Sequence, residues 1–293
     1  MFSISLISTL TFSFLFCRFV CFFLSYFLQT LYGLADLFII GQFDGVDSIT
    51  AVSIGSQIMH MITVMIVGLS MGATVCIAQA VGAKDKEKLR YCIGNTVTVF
   101  FIVSLILTGL LLFFTDFIVG VVKTPTEAVA GTKEYLIICF IGIPLITAYN
   151  IVSSILRGMG DSKSPMYFIA IACVANIILD YVFIGYFKLG AVGAALGTTL
   201  SQGISVICAL TYINRNNSSD SFSFAYLKLK GNIAKRLLRI GIPICAQDGF
   251  IQVAFMVITV IANMRGLTDA AAVGIVEKLI SFIFLVPSSM LST

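Results

Sequence analysis

The 293-residue sequence has no tryptophan, a single histidine and only 11% charged residues. Soluble domains carry about 25% charged residues, and a chain of this length cannot hide 59% hydrophobic residues from water in its core. The eight cysteines show no Cys-x-x-Cys spacing, so we expect small buried side chains rather than a metal or redox site. No P-loop, zinc-protease or serine-hydrolase motif is present, which argues against an enzyme and against transport powered by the chain's own ATPase. These absences indicate a multi-span membrane protein.

Long apolar runs account for most of the sequence. A membrane-spanning helix needs about 20 apolar residues, and eight runs reach that length, at about 22–41, 51–81, 91–115, 134–156, 166–187, 190–213, 240–263 and 270–293. The predicted fold is therefore an all-α integral membrane bundle, in which the prolines inside spans, such as Pro144, should bend the helices. Residues 1–26 are unusually rich in Phe and Ser. We interpret them as an atypical leader that continues into the first span without cleavage, because no small-residue cleavage site follows.

Lysine and arginine are concentrated in alternate loops. Twelve of these residues follow the second, fourth or sixth span, whereas the intervening loops contain four. Because basic loops remain on the cytoplasmic side, this pattern predicts a multi-pass plasma-membrane protein with a cytoplasmic N-terminus. We interpret the basic clusters as topology signals, so we expect the lipid bilayer and no nucleic acid as a partner.

One segment of the chain recurs 221 residues later. Residues 40–54 align without gaps with residues 261–275, and both copies contain a helix end, a turn with glycine and an Ala-Val helix start. Six spans separate the copies, which gives them the same orientation, as in transporters built from parallel repeats. We therefore expect a six-helix N-terminal lobe at 1–213, a cytoplasmic linker at 214–239, and at 240–293 an incomplete C-terminal lobe with its first two helices.

Polar side chains inside the spans are candidate functional residues, because a charge at mid-bilayer costs several kcal/mol. Asp36 lies in the first span, and Asn176 and Asp180 share one face of the fifth span because they are one helical turn apart. Other polar side chains within the spans are Asn150, Thr198 and Thr199. Such oxygen ligands suit a hard monovalent cation such as Na⁺, and the carboxylates could instead carry H⁺; no other cofactor or metal is expected. Alternatively, Asn176 and Asp180 only join helices through hydrogen bonds.

A second group of polar residues suggests a substrate cavity. It comprises Gln29 in the first span and Asp248 and Gln252 in the seventh. We expect Asp248 to line a cavity shared with Asp36. His60 stands alone among Met and Ile residues, and we interpret it as a packed or interfacial side chain.

Four short motifs in this order resemble the multidrug and toxic compound extrusion (MATE) transporters. They are LYGLAD (31–36) leading into IGQF (40–43), AQAVGAKD (78–85), LRGMGD (156–161) and NIILD (176–180). The resemblance implies twelve helices in two six-helix lobes around a V-shaped cavity. It also implies a cation site that, matched residue by residue, falls on Asp36, Asn150, Asn176, Asp180 and Thr198. Where this family often has a proline after the fifth-span aspartate, the chain has Tyr181.

The resemblance favours a monomeric antiporter that exports cationic or amphipathic drugs in exchange for Na⁺ or H⁺. Two alternatives stay open. One is a truncated, non-transporting membrane fragment, because the second lobe would contain only its first two helices. The other is a lipid-linked precursor flippase, although such a protein needs a cationic cavity for phosphates and the membrane-embedded charges here are mostly acidic.

Overall fold

The computed structural model describes residues 2–215 and 230–265, together with the isolated positions 280, 283, 286 and 287. The described residues form helices and turns without a strand, which confirms the predicted all-α membrane fold. The helices are α1 (Phe2–Phe43), α2 (Val46–Gly82), α3 (Lys86–Phe113), α4 (Thr115–Val121), α5 (Val129–Ile141), α6 (Ile143–Gly158), α7 (Lys163–Asp180), α8 (Gly190–Arg215) and α9 (Gly231–Arg265). A 3₁₀ turn at Thr126–Ala128 precedes α5, and a π-helical segment at Tyr181–Tyr186 follows α7.

The described helices account for seven of the eight predicted spans. Six helices are long and apolar enough to cross a membrane, and the bent pair of α5 and α6, counted as one span, makes a seventh. The predicted span at 270–293 lies almost entirely outside the described residues. So does most of the predicted linker at 214–239, although its last nine residues form the first turns of α9. The predicted leader at 1–26 is helical from Phe2 onward and continuous with α1.

The fourth span is broken at Gly142. The helix before this glycine and the helix after it differ in direction by 47°. Pro144 lies in the first turn of α6, where its missing N–H leaves no hydrogen bond unmade. A Cβ atom at Gly142 would lie within 2.5 Å of the Thr199 side chain, so the glycine at the break also lets α8 approach closely.

The α2–α3 and α6–α7 loops share one backbone arrangement. Each contains a residue at positive φ, Lys84 at 54° and Gly160 at 98°. The next residue in each loop, Asp85 or Asp161, donates its N–H to the carbonyl five residues earlier, at 3.2 and 2.8 Å, as in a Schellman motif. Each aspartate then accepts a hydrogen bond from the backbone N–H three residues later, at 2.9 and 3.0 Å. The aspartates of GAKD and GMGD therefore end one helix and cap the next.

Glycines allow α9 to pack directly on the backbone of α2. Gly68 and Gly72 are four residues apart on α2, the spacing that brings membrane helices into close contact. A Cβ atom at Gly72 would collide with the carbonyl oxygen of Leu237, and one at Gly241 would collide with that of Leu69. The side chain of Leu237 is fully buried in an apolar cluster that includes residues of α2, α3 and α6. The first turns of α9 therefore belong to the core formed by the preceding helices.

Replacing Gly72 with alanine is expected to lower the free energy of unfolding by about 1–3 kcal/mol, because the methyl group must displace the backbone of α9. The matched change at Gly109 of α3, which has open space around it, should be neutral or stabilise by about 0.5–1 kcal/mol, since alanine is the better helix former. Both effects can be measured as melting temperatures in detergent, where unfolding is detected by loss of the monodisperse elution peak. Equal melting temperatures for the two variants would contradict the close contact.

Candidate cation site

Helices α1, α7 and α8 bring four of the five predicted site residues together. The Asp36 carboxylate of α1 lies next to the side chains of Asp180 and Asn176 of α7. From α8, Thr198 donates a hydrogen bond from its hydroxyl to Oδ2 of Asp36, at 3.2 Å. The exposed fractions of Asp180, Asn176 and Asp36 are 0%, 1% and 3%. These polar groups therefore form a buried cluster inside the helical bundle.

The backbone changes its helical geometry immediately after the cluster. Asn176 and Asp180 are one turn apart on α7 and so face the same side. The α-helix ends at Asp180 and the π-helical segment Tyr181–Tyr186 follows. Such segments have hydrogen bonds from residue i to residue i+5 and are frequent at functional sites. Tyr181, at the position where the resemblance would place a proline, is thus the first residue of the π segment.

Several buried polar atoms of the cluster have no hydrogen-bond partner. They are Oδ1 of Asp36, both carboxylate oxygens of Asp180, and the amide nitrogen and oxygen of Asn176. The ion pair between Lys133 and Asp116 lies near the surface, and among the described residues no salt bridge joins either buried carboxylate to a basic side chain. Burying an uncompensated carboxylate costs several kcal/mol. The cluster therefore has a strong physical requirement for a proton or a cation.

The chemistry of the cluster fits a small monovalent cation as well as a proton. Its ligand atoms are carboxylate, amide and hydroxyl oxygens, which hard cations prefer. The hydroxyl of Thr199, which follows the Thr198 hydrogen-bond donor, is also buried without a partner. Either a bound proton or a bound cation would reduce the repulsion between two adjacent carboxylates.

Asn150, the fifth predicted site residue, has a different environment. It lies on α6, is 9% exposed, and donates its side-chain N–H to the carbonyl of Ile146 in the same helix, at 2.8 Å. Among the described hydrogen bonds, none joins Asn150 to Asp36 or Asp180. Its role as a cation ligand stays a prediction.

The predicted cavity residues lie on α1 and α9. Gln29 is half-buried on α1, about two turns before the cation cluster. Asp248 is half-buried on α9 and reaches α2, where a Cβ atom at Gly68 would be 2.9 Å from Oδ2 of Asp248. One turn further along α9, Gln252 interacts with the side chain of His60 on α2. These contacts place the α9 residues against α2, and a cavity shared with the cation cluster stays a prediction.

Gly197 of α8 is a site residue that polarity does not reveal. A Cβ atom at Gly197 would collide with Oδ1 of Asp180. One turn earlier, a Cβ atom at Gly193 would lie 3.1 Å from Ile184 and Phe183 of the π segment. The four-residue spacing of these glycines is the sequence signal for close helix contact. It could have identified α8 as a helix that packs closely on a neighbour, but not Asp180 as the residue that it contacts.

Two tyrosines also lie close to Asp36. Tyr32 is one turn earlier on α1, and Tyr135 belongs to α5 and is 2% exposed. The ring of Tyr135 fills the space beside Gly55 of α2, where a Cβ atom would overlap it. Helical spacing alone could have indicated Tyr32. Nothing in the sequence places Tyr135 near Asp36, because the two residues come from different spans.

The chain is similar to known proteins along most of its length. The MatE family model matches residues 22–182. The probable multidrug resistance protein YoeA of Bacillus subtilis (strain 168) is 31% identical over 269 residues, which cover 89% of this chain and 58% of that protein. The chain thus spans less than two-thirds of the length of this relative.

Two solved structures represent different states of a similar fold. An outward-facing conformation of a multidrug resistance MATE family transporter matches with a TM-score of 0.85 at 24% identity, covering 95% of this chain and 62% of that chain. An inward-facing conformation of such a transporter matches with a TM-score of 0.75 at 25% identity, covering 88% of this chain and 56% of that chain. The described helix arrangement is therefore closer to the outward-facing structure.

Replacing Gly197 with alanine is expected to displace the Asp180 carboxylate, because the methyl group would overlap Oδ1. The overlap should also lower the free energy of unfolding by about 1–3 kcal/mol. Gly203→Ala on the same helix is the matched control, since a Cβ atom there makes an ordinary contact with Leu145 at 3.6 Å. Infrared spectroscopy of the carboxyl groups, with the Asp180 band assigned by its loss in Asp180→Asn, should show a shift only for Gly197→Ala. An unchanged band in that variant would refute the packing contact.

Proposed function

Because this chain belongs to the MatE family, we propose that it provides the cation site of an antiporter that exports cationic or amphipathic drugs in exchange for Na⁺ or H⁺. The observation that carries the proposal is the pair of buried carboxylates, Asp36 and Asp180, which have no basic partner among the described residues. The names of the Bacillus subtilis relative and of the matching structures, which refer to multidrug resistance, support drugs as the exported compounds.

Cation binding is coupled to helix packing because the ligands come from separate helices. A bound cation or proton offsets the negative charges of Asp36 on α1 and Asp180 on α7, so that the two helices can pack closely. When the cation leaves, the carboxylates repel each other in a medium of low dielectric constant. The two packing states then differ in cation affinity, which is the condition for a cation to drive a conformational change.

The described arrangement corresponds to the outward-facing state of this cycle. The better match to the outward-facing structure supports this assignment. The close packing of α9 on α2 near Gly72 supports it as well, since this contact lies toward the end of the bundle that carries the basic α2–α3 loop. Basic loops are typical of the cytoplasmic side, so the chain would be closed there. The same charge pattern supports a cytoplasmic N-terminus in a plasma-membrane protein, which we propose acts as a monomer.

Transport is a property of the whole protein, and the chain spans 58% of its Bacillus subtilis relative. The DNA that follows the Thr293 codon separates two interpretations. An open reading frame that encodes further membrane spans favours the exporter, and an in-frame stop codon favours a non-transporting fragment. Functional tests should therefore use the complete product of the gene.

Asp36→Asn and Asp180→Asn are each expected to reduce cation-driven drug efflux to background, because asparagine preserves size and removes the charge that binds the cation. Dye efflux from vesicles, first under a Na⁺ gradient and then under a pH gradient, measures the effect and identifies the coupling ion. Asp116→Asn is the matched control, since the Asp116 side chain is 79% exposed. All three variants should insert into the membrane and elute as the wild type does. Wild-type efflux in both buried-site variants would overturn the assignment.

A further inference from the structure

Three polar contacts attach the beginning of α9 to α2 and α3. The backbone N–H of Lys230 donates to Oδ1 of Asn95 at 2.8 Å, and the Lys230 ammonium lies over the ring of Tyr91, 3.1 Å from its centroid. The Arg236 guanidinium donates to Oε1 of Gln79 at 2.7 Å. We call these five residues the α9 latch. None of them belongs to the cation site.

Asn95 is held in the orientation that the latch requires. It is 0% exposed, and its side-chain N–H₂ donates to the carbonyl of Tyr91 in the preceding turn of α3, at 2.8 Å. This bond leaves Oδ1 directed at the N–H of Lys230. If α9 moved away, the buried oxygen would lose the hydrogen bond from Lys230, and loss of a hydrogen bond to a buried acceptor is destabilising. The amide therefore favours the attached position of α9.

The charged side chains of the α9 latch lie at the protein surface, where their contacts can break and reform. Lys230 and Arg236 are exposed, and the Lys230 ammonium shares a shallow cleft with Asp85 and Glu87. Cation–π contacts and charged hydrogen bonds at such partly solvated positions are individually modest, because water competes for the charged groups. A group of modest contacts at one end of a helix suits a device that opens in every transport cycle.

The latch covers apolar residues that are closed off from water. Cys76 of α2 is 3% exposed, lies near Arg236, and belongs to the same apolar cluster as the fully buried Leu237 of α9. Deeper in the bundle, Gly241 of α9 lies against the backbone of Leu69 on α2. Movement of the α9 end about this deeper contact would expose Cys76 first.

We propose that the α9 latch is the cytoplasmic gate of the transporter, which holds α9 on α2 and α3 in the outward-facing state and releases it in the inward-facing state. This inference rests on the proposed function, because it assigns the contacts to one state of a transport cycle. Its chemistry is specific: the aromatic ring of Tyr91, the charge of Arg236 and the amide oxygens of Asn95 and Gln79 are required, rather than apolar bulk at these positions.

The test uses Cys76 as a reporter of opening. In the complete gene product with every other cysteine replaced by serine or alanine, a water-soluble maleimide is supplied from the cytoplasmic side in inside-out vesicles. Tyr91→Leu combined with Arg236→Ala should label Cys76 about tenfold faster than the parent, the factor that about 1.4 kcal/mol produces in an equilibrium. Tyr91→Phe combined with Arg236→Lys preserves the ring and the charge, and its labelling rate should match the parent.

A second reporter separates opening from unfolding. Cys139 of α5 is 1% exposed within a different apolar cluster, and as the single cysteine it should stay slowly labelled in the Tyr91→Leu/Arg236→Ala background. The latch is overturned if Cys76 labelling does not accelerate, if the conservative pair accelerates it equally, or if Cys139 accelerates as well. Labelling requires neither drug nor cation gradient. Failure of the latch is therefore distinguishable from failure of the proposed function, which would instead appear as efflux that does not depend on Asp36.

Discussion

The carboxylates of Asp36 and Asp180 are buried next to each other on two different helices, and no described basic residue pairs with either of them. In an interior of low dielectric constant, two adjacent negative charges repel strongly, and a proton or cation that offset their charge would favour this arrangement of the helices. Two features of the surrounding backbone lie next to the Asp180 carboxylate. The π segment begins directly after Asp180, and Gly197 allows α8 to approach the same carboxylate. Under the proposed function, charge at the cluster therefore controls how tightly α1, α7 and α8 can pack.

Close backbone contact between helices occurs at two places with different consequences. At the candidate cation site, Gly193 and Gly197 bring α8 against α7 and the π segment, and Gly197 lies against the Asp180 carboxylate. Between α2 and α9, Gly72 and Gly241 bring two backbones together at a contact that polar residues extend toward the loops. In lipid, no hydrophobic driving force favours contact between apolar helices over contact with the bilayer. Small residues that permit close packing therefore contribute much of the free energy of helix association. Close packing at glycines therefore occurs both at the candidate cation site and at α9, the helix that we infer to move.

Much of the fold could be predicted because its determinants are local. Long apolar runs identify the spans, and Asp36, Asn176, Asp180 and Thr198 stand out as polar residues within them. The position of the bend in the fourth span could be anticipated from Pro144, but its angle of 47° could not, because it depends on how the two halves pack against other helices.

The remaining features of the site depend on contacts between helices that no single segment contains. Gly197 has no polar group, and its importance comes from the carboxylate opposite it. Tyr135 is one of several aromatic residues, and only the packing of α5 brings it toward Asp36. Conversely, Asn150 has the polarity of a ligand, yet its amide N–H bonds within its own helix. Polarity identified the candidate residues, whereas the contacts that each of them makes depend on neighbours distant in sequence.

The side chain of Leu237 is fully buried among residues of α2, α3 and α6. The core of the first six spans therefore includes a residue from α9, the helix that follows them in the sequence. A fragment that ended at Arg215, the last residue of α8, would lack this leucine and leave an apolar slot between α2, α3 and α6. Loss of a buried leucine side chain costs about 2–5 kcal/mol. Chimaeras that exchange halves between related transporters should therefore be joined beyond Gly241, within α9, so that each half retains the leucine that matches its own core.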